Sequence, residues 1–140
     1  IADFDDIGLS YYPKWSACSL SQMAQMIAAV HERWKKPIMI VETAYPWTLD
    51  AGAVTDHLLG ADAVIPAYPP SPNGQRQFLI DLAQAVADAK GTGVLYWEPA
   101  WISAPRKPSI WENAALFDYG GNVHKGIEFL SRTYTACEQG

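Results

Sequence analysis

The chain has 140 residues, 49% of them apolar, and a formal charge of −5. That is enough length and apolar content for one core. With no basic run to meet phosphate, the acidic balance argues against nucleic acid or an anionic membrane as partners. No stretch approaches the roughly 18 consecutive apolar residues a membrane-spanning helix needs.

No signal-peptide pattern is visible, and the opening Ile1-Ala2-Asp3 reads as a cut into a longer polypeptide. Two cysteines, Cys18 and Cys137, can form one disulfide or stand as independent thiols, but they make no metal site. Six Trp and seven Tyr exceed what a core of this size usually needs, a mild pointer to carbohydrate stacking.

A first strand is expected over Asp5–Tyr12, ended by Pro13. Ser19 and Gln22 have capping-box spacing. Leu20, Met23, Ile27, Val30 and Trp34 then follow at helical intervals. Pro37 separates that helix from a second strand, Ile38–Glu42. Its run Ile38–Val41 is so apolar that it fits a strand buried on both faces, as in a parallel α/β sheet. A long connection, about 43 to 73, is rich in Pro, Ala and Gly, and loops of such length are usually functional. Phe78, Leu79, Leu82 and Val86 mark a second helix, stopped by Gly91 and Gly93. A third strand, about Val94–Trp97, leads into an irregular stretch, and a last helix is expected near His124–Tyr134.

Alternating strands and helices predict parallel pairing with right-handed crossovers. Three units make only part of a closed eight-stranded barrel. The competitor is a doubly wound sheet, which usually carries a glycine-rich phosphate loop. Here Gly91-Thr92-Gly93 precedes a strand and opens no helix, so the barrel fragment is preferred.

Chemistry is expected where strands two and three end. Each terminates in a glutamate among aromatic side chains, Val41-Glu42-Thr43-Ala44-Tyr45 and Tyr96-Trp97-Glu98-Pro99. In a β/α barrel the carboxyl ends of the strands open into the active site, and glycoside hydrolysis uses two carboxylic acids flanking the bond. Glu42 suits the nucleophile; the bland alternative is an exposed loop glutamate. Glu98 can be the partner carboxylate, a binding residue, or a residue paired with a neighbouring Arg. If alternation along the first strand turns Ile7, Leu9 and Tyr11 to the helices, Gly8, Ser10 and Tyr12 face the interior, where a phenol can bond a carboxylate; the reversed register would put Tyr11 there instead. Trp97 stands where a sugar ring can stack, and Trp47, Trp101 and Trp111 are stacking or packing residues. His31, His57 and His124 lack a second ligand at metal spacing. Asp50, Asp56 and Asp62 lack the alternating pattern of a calcium loop, so no metal and no cofactor is expected.

The chain resembles glycoside hydrolase family 53, the endo-β-1,4-galactanases. The resemblance runs through Ile7-Gly8-Leu9-Ser10-Tyr11-Tyr12-Pro13, Val41-Glu42-Thr43-Ala44-Tyr45-Pro46-Trp47, Tyr68-Pro69 and Gly74-Gln75. It continues in Tyr96-Trp97-Glu98-Pro99-Ala100-Trp101 and Trp111-Glu112-Asn113-Ala114-Ala115-Leu116-Phe117-Asp118. It implies a (β/α)8 TIM barrel of which strands six to eight are present. Residues 1–140 would then be the carboxyl-terminal portion of one catalytic domain, whose missing amino-terminal part is its structural partner. The resemblance further implies a retaining mechanism on a secreted, extracellular or periplasmic enzyme whose partner is the polysaccharide β-1,4-galactan. It carries the nucleophile onto Glu42 and demotes Glu98, because the family's acid/base glutamate follows an Asn at the end of strand four, and that Asn-Glu pair has no match here. Two other readings stay open: another clan A barrel hydrolase on a different β-linked polysaccharide, and a non-catalytic carbohydrate-binding half-barrel presenting Trp97, Trp101 and Trp111. Alone, such a slice is expected to expose Ile38, Ile40 and Leu95 on its inner face, to self-associate or unfold easily, and to leave galactan uncut.

Overall fold

The capping box forms as the spacing predicts. The Ser19 hydroxyl accepts from the Gln22 amide, the Gln22 side chain accepts from the Ser19 amide, and helix α1 runs Leu20–Trp34. It ends as Lys35 turns left-handed (φ 52°) and donates to the His31 carbonyl, with Pro37 two residues beyond barring continuation. In the computed structural model, which describes residues 3–137, strands β1 (Ile7–Ser10), β2 (Ile38–Glu42) and β3 (Gly93–Val94) form one parallel sheet in that order. Helix α2 (Pro72–Asp88) has Ser71 as N-cap and proline in its first turn.

The helices cover one face of the sheet. Ile7, Leu9 and Tyr11 point to that layer as the alternation predicts, and pack with Met23, Ile27, Phe78, Leu79 and Leu82. Ile38 and Ile40 join them, fully buried. This corrects the expectation that those two isoleucines line the inner face: that face carries the half-buried Met39 and Val41 and the exposed Leu95. Nor is β2 buried on both faces, since among the described residues no second layer covers the inner one.

The elements are otherwise shorter than the sequence pattern predicts. β1 stops at Ser10, and β3 is regular over two residues only. The β3 backbone nonetheless keeps pairing, with Leu95 donating to the Ile40 carbonyl and Trp97 to that of Thr43. The expected last helix is a 3-10 helix, Lys125–Ser131, capped by the His124 ring, with Phe129 in the core. Cys18 and Cys137 are both free thiols.

Candidate active site

The carboxyl ends of the strands meet at Glu42, and a bulge decides where it points. Ile38 and Ile40 face the helices, so strict alternation would send Glu42 there too. The register instead advances two residues on β2 for one on β1, pairing Leu9 with Ile40 and then Ser10 with Glu42. An extra residue in one strand re-aims the side chains after it. Gly8 makes room for it, since a Cβ there would lie 3.0 Å from both methyls of Val41. Glu42 thereby reaches the inner face, where the Tyr12 hydroxyl donates to its Oε2 at 3.2 Å.

Tyr12 is held from three sides. Its amide donates to the Ser16 hydroxyl, and its ring stands edge-on to Trp15 (5.0 Å) and Trp111 (6.1 Å). Burial, then the Glu42 charge and the hydrogen bond to it, push the phenol pKa far up, so the hydroxyl stays a proton donor. Trp97, Trp101 and Trp15 are exposed, offering ring surface. Ser10 and Glu98 are also exposed. Glu98 adopts φ 52°, an unusual conformation for a residue with a side chain.

Of the three tryptophans open to either stacking or packing, Trp111 and Trp47 are packed. Trp111 is 4% exposed among Tyr12, Ala44, Leu59 and Ala63. Its indole donates to the Trp97 carbonyl, so it props Tyr12 and Trp97 and presents no free face. Trp47 is half-buried against Tyr119 and His124, with its indole on the Glu112 carbonyl.

Sequence reasoning passed over four contributors. Trp15 follows the strand end in Pro13-Lys14-Trp15, and that position was the available signal. Tyr96 and Gln75 form a buried node: the Tyr96 hydroxyl bonds the Ala114 carbonyl and the Tyr45 backbone, and the Gln75 amide reaches the Tyr45, Ala114 and Ala115 carbonyls. Glu112, 1% exposed, accepts from the Val54 amide and pairs with His57. No local pattern links residues 55 apart. His31 and His124 each bond a backbone carbonyl, in packing roles.

Comparisons with known proteins identify the family to which these strands and helices belong. The family model described as "Glycosyl hydrolase family 53" matches residues 2–130. An arabinogalactan endo-β-1,4-galactanase from Cellvibrio japonicus is 50% identical over 99% of this chain and 39% of its own length. The solved family 53 catalytic domain from Ignisphaera aggregans superposes with a TM-score of 0.86 at 31% identity, over 94% of this chain and 39% of that one. A fungal β-1,4-galactanase structure gives 0.73 at 29% identity, over 93% and 38%. The chain thus spans about two fifths of the length of the relatives it matches. With nearly all of it matched in sequence and in fold, the chain belongs to glycosyl hydrolase family 53, and its three βα units are a sector of that family's β/α barrel.

Proposed function

We propose that the polypeptide containing this chain is a retaining endo-β-1,4-galactanase, that residues 1–140 are the carboxyl-terminal portion of its barrel domain, and that Glu42 is its nucleophile. The observation that carries this is Glu42 itself: a strand-end carboxylate turned by a bulge onto the inner face, bonded to Tyr12, in a family 53 sequence. Glu42 attacks the anomeric carbon of the bound galactosyl unit, the glycosidic bond breaks, and the leaving oxygen takes a proton from an acid/base glutamate supplied by another strand of the barrel. Water then cleaves the glycosyl–enzyme ester as that glutamate, now a carboxylate, takes the water's proton. The two carboxyls of such a pair stand about 5–5.5 Å apart. Tyr12 orients one oxygen of Glu42 and leaves the other for attack.

Trp97, Trp101 and Trp15 supply ring faces to the apolar sides of the sugars, while Ser10 and Glu98 bond hydroxyls; Trp111 props Tyr12 and Trp97, and Trp47 ties its loop to the Glu112 carbonyl. The substrate is the β-1,4-galactan of pectin side chains, and membership of the family supports an enzyme that works outside the cell or in the periplasm.

The test is Glu42→Ala in the full-length protein, assayed on galactan. Turnover should fall by roughly 10⁴-fold with the fold retained, and azide should restore part of it by attacking in place of the carboxylate. Near-normal turnover in the variant would refute the assignment.

A further inference from the structure

Glu112 is a carboxylate buried where two loops meet, and the site as described gives it no chemical task. Its Oε1 accepts from the Val54 amide at 3.1 Å and lies 3.3 Å from His57 Nε2, both side chains being nearly inaccessible. An ionised carboxylate only accepts, so that imidazole nitrogen carries a hydrogen. The Ser103 side chain and the Ala53 amide stand near enough to favour the ionised form of Glu112. Burial pushes the carboxyl pKa up, but the hydrogen bonds from Ser103, Val54, His57 and Ala53 outweigh it and hold the pKa below the usual carboxylate range. The other titratable groups on this side are Tyr119, stacked 6.2 Å from the His57 ring, and Asp50, whose carbonyl accepts from Tyr119.

The loop backbone is shaped around the carboxylate. A Cβ on Gly52 would fall 2.4 Å from Glu112 Oε1, so only glycine lets the chain pass so close. Around this centre lie further ties between the same two segments. Leu58 donates to the Ile110 carbonyl, Trp47 to that of Asn113, and the Asn113 amide reaches the Thr48 and Leu59 carbonyls.

We propose that Glu112 is a positioning residue, whose buried carboxylate locks residues 47–59 onto residues 109–114 and so fixes Trp111 in the wall against Tyr12, the partner of Glu42, with Trp47 tied in behind the same segment. That the wall belongs to a galactan cleft rests on the reading above; the lock itself does not. A tie made by a charge and an imidazole is suited to this place, since the loop carries no strand or helix to hold it and the shell supplies several donors to one anion. Removing the carboxylate leaves the Val54 amide and the His57 imidazole buried without their acceptor, and removing His57 takes from the buried charge its one side-chain ion-pair partner, so the lock weakens from either side.

The test is amide hydrogen exchange on the full-length protein, corrected for intrinsic rates, in wild type, Glu112→Gln, His57→Gln and the double variant. Gln keeps the size of Glu112 and removes its charge. Exchange at Val54 and Leu58 should quicken at least tenfold in Glu112→Gln, comparably in His57→Gln, and no further in the double variant, with α2 and the sheet unchanged. Wild-type protection of Val54 should be full above the ordinary carboxylate range and fall only at more acid pH, while Glu112→Gln shows no such step. In the galactan assay Glu112→Gln should lose at least fivefold in kcat/KM. Wild-type protection at Val54 in Glu112→Gln, or loss spread evenly through α2 and the sheet, overturns the proposal. If Glu112→Gln does not fold, wild-type protection in His57→Gln overturns it alone. The exchange measurement needs no turnover, so a protein inactive on galactan would defeat the functional reading and leave the lock to be judged on its own data.

Discussion

Replacing Tyr12 by Phe removes one hydrogen bond and almost nothing else. The ring keeps its edge contacts with Trp15 and Trp111, so the core cluster around it is undisturbed. The lost bond runs from a phenol held protonated by burial to Glu42 Oε2 at 3.2 Å. An ordinary hydrogen bond is worth about 0.5–1.5 kcal/mol and one to a charged group about 1.5–3, and the length of this one places it where the two ranges meet, about 1–2 kcal/mol. If Tyr12 orients the nucleophile, that energy belongs to the transition state and lowers kcat and kcat/KM together, by about 5- to 30-fold, with KM little changed. The assay is steady-state galactan hydrolysis by the full-length variant, beside a thermal melt. A variant with wild-type kcat, or one whose loss lies wholly in KM or in stability, would refute the orienting role.

Trp97→Ala should lower kcat as well as raise KM, because a ring at the scissile bond shapes the transition state; a rise in KM alone would make it a peripheral contact. Burial and then the neighbouring Cys18 push the Tyr11 hydroxyl up to about 12 from its usual 10.0. A folded-state pKa above the unfolded one gives stability that is complete below pH 10 and lost as pH rises toward 12. Alkaline melts should show that loss, and Tyr11→Phe should reduce it; an unchanged alkaline profile would count against the buried, neutral phenol. The 140-residue chain alone should self-associate, since β1 and β3 each offer an unpaired edge and Leu95 and Leu130 are more than half exposed. Sedimentation of a compact monomer at micromolar concentration would contradict this.

The sequence made the elements legible where local rules decide them. A capping box, a stripe at helical spacing and a proline after the helix fixed α1, and the apolar run ended by a glutamate fixed β2 to the residue. The expected strand Val94–Trp97 is regular only at Gly93–Val94: beyond them the backbone still donates to the Ile40 and Thr43 carbonyls, but without a regular ladder, while the Tyr96 phenol reaches the Ala114 carbonyl and the Trp97 indole is exposed. At Lys125–Ser131 the apolar residues Ile127, Phe129 and Leu130 suggest a helical face, but only Ile127 and Phe129 pack on the core while Leu130 stays exposed, and the segment winds as a 3-10 helix.

Alternation along the first strand puts Tyr12 on Glu42's side, as the structure has it, whereas the expectation that Ile38 and Ile40 share the inner face with Glu42 fails on β2. The two outcomes have one cause. A bulge is invisible to alternation, because it is set by how a strand pairs with its neighbour, and here by the space Gly8 leaves for Val41. Without it, a strand with its isoleucines in the helical core would aim Glu42 into that core, where an unpaired carboxylate is costly. With it, one strand serves two ends: Ile38 and Ile40 anchor the sheet on the helices, and two residues later the carboxylate stands on the opposite face beside Tyr12. The bulge is therefore the step by which a stability-bearing strand becomes a site-bearing one, and inserting or deleting a residue at Val41 would move Glu42 off Tyr12 before it disturbed the core.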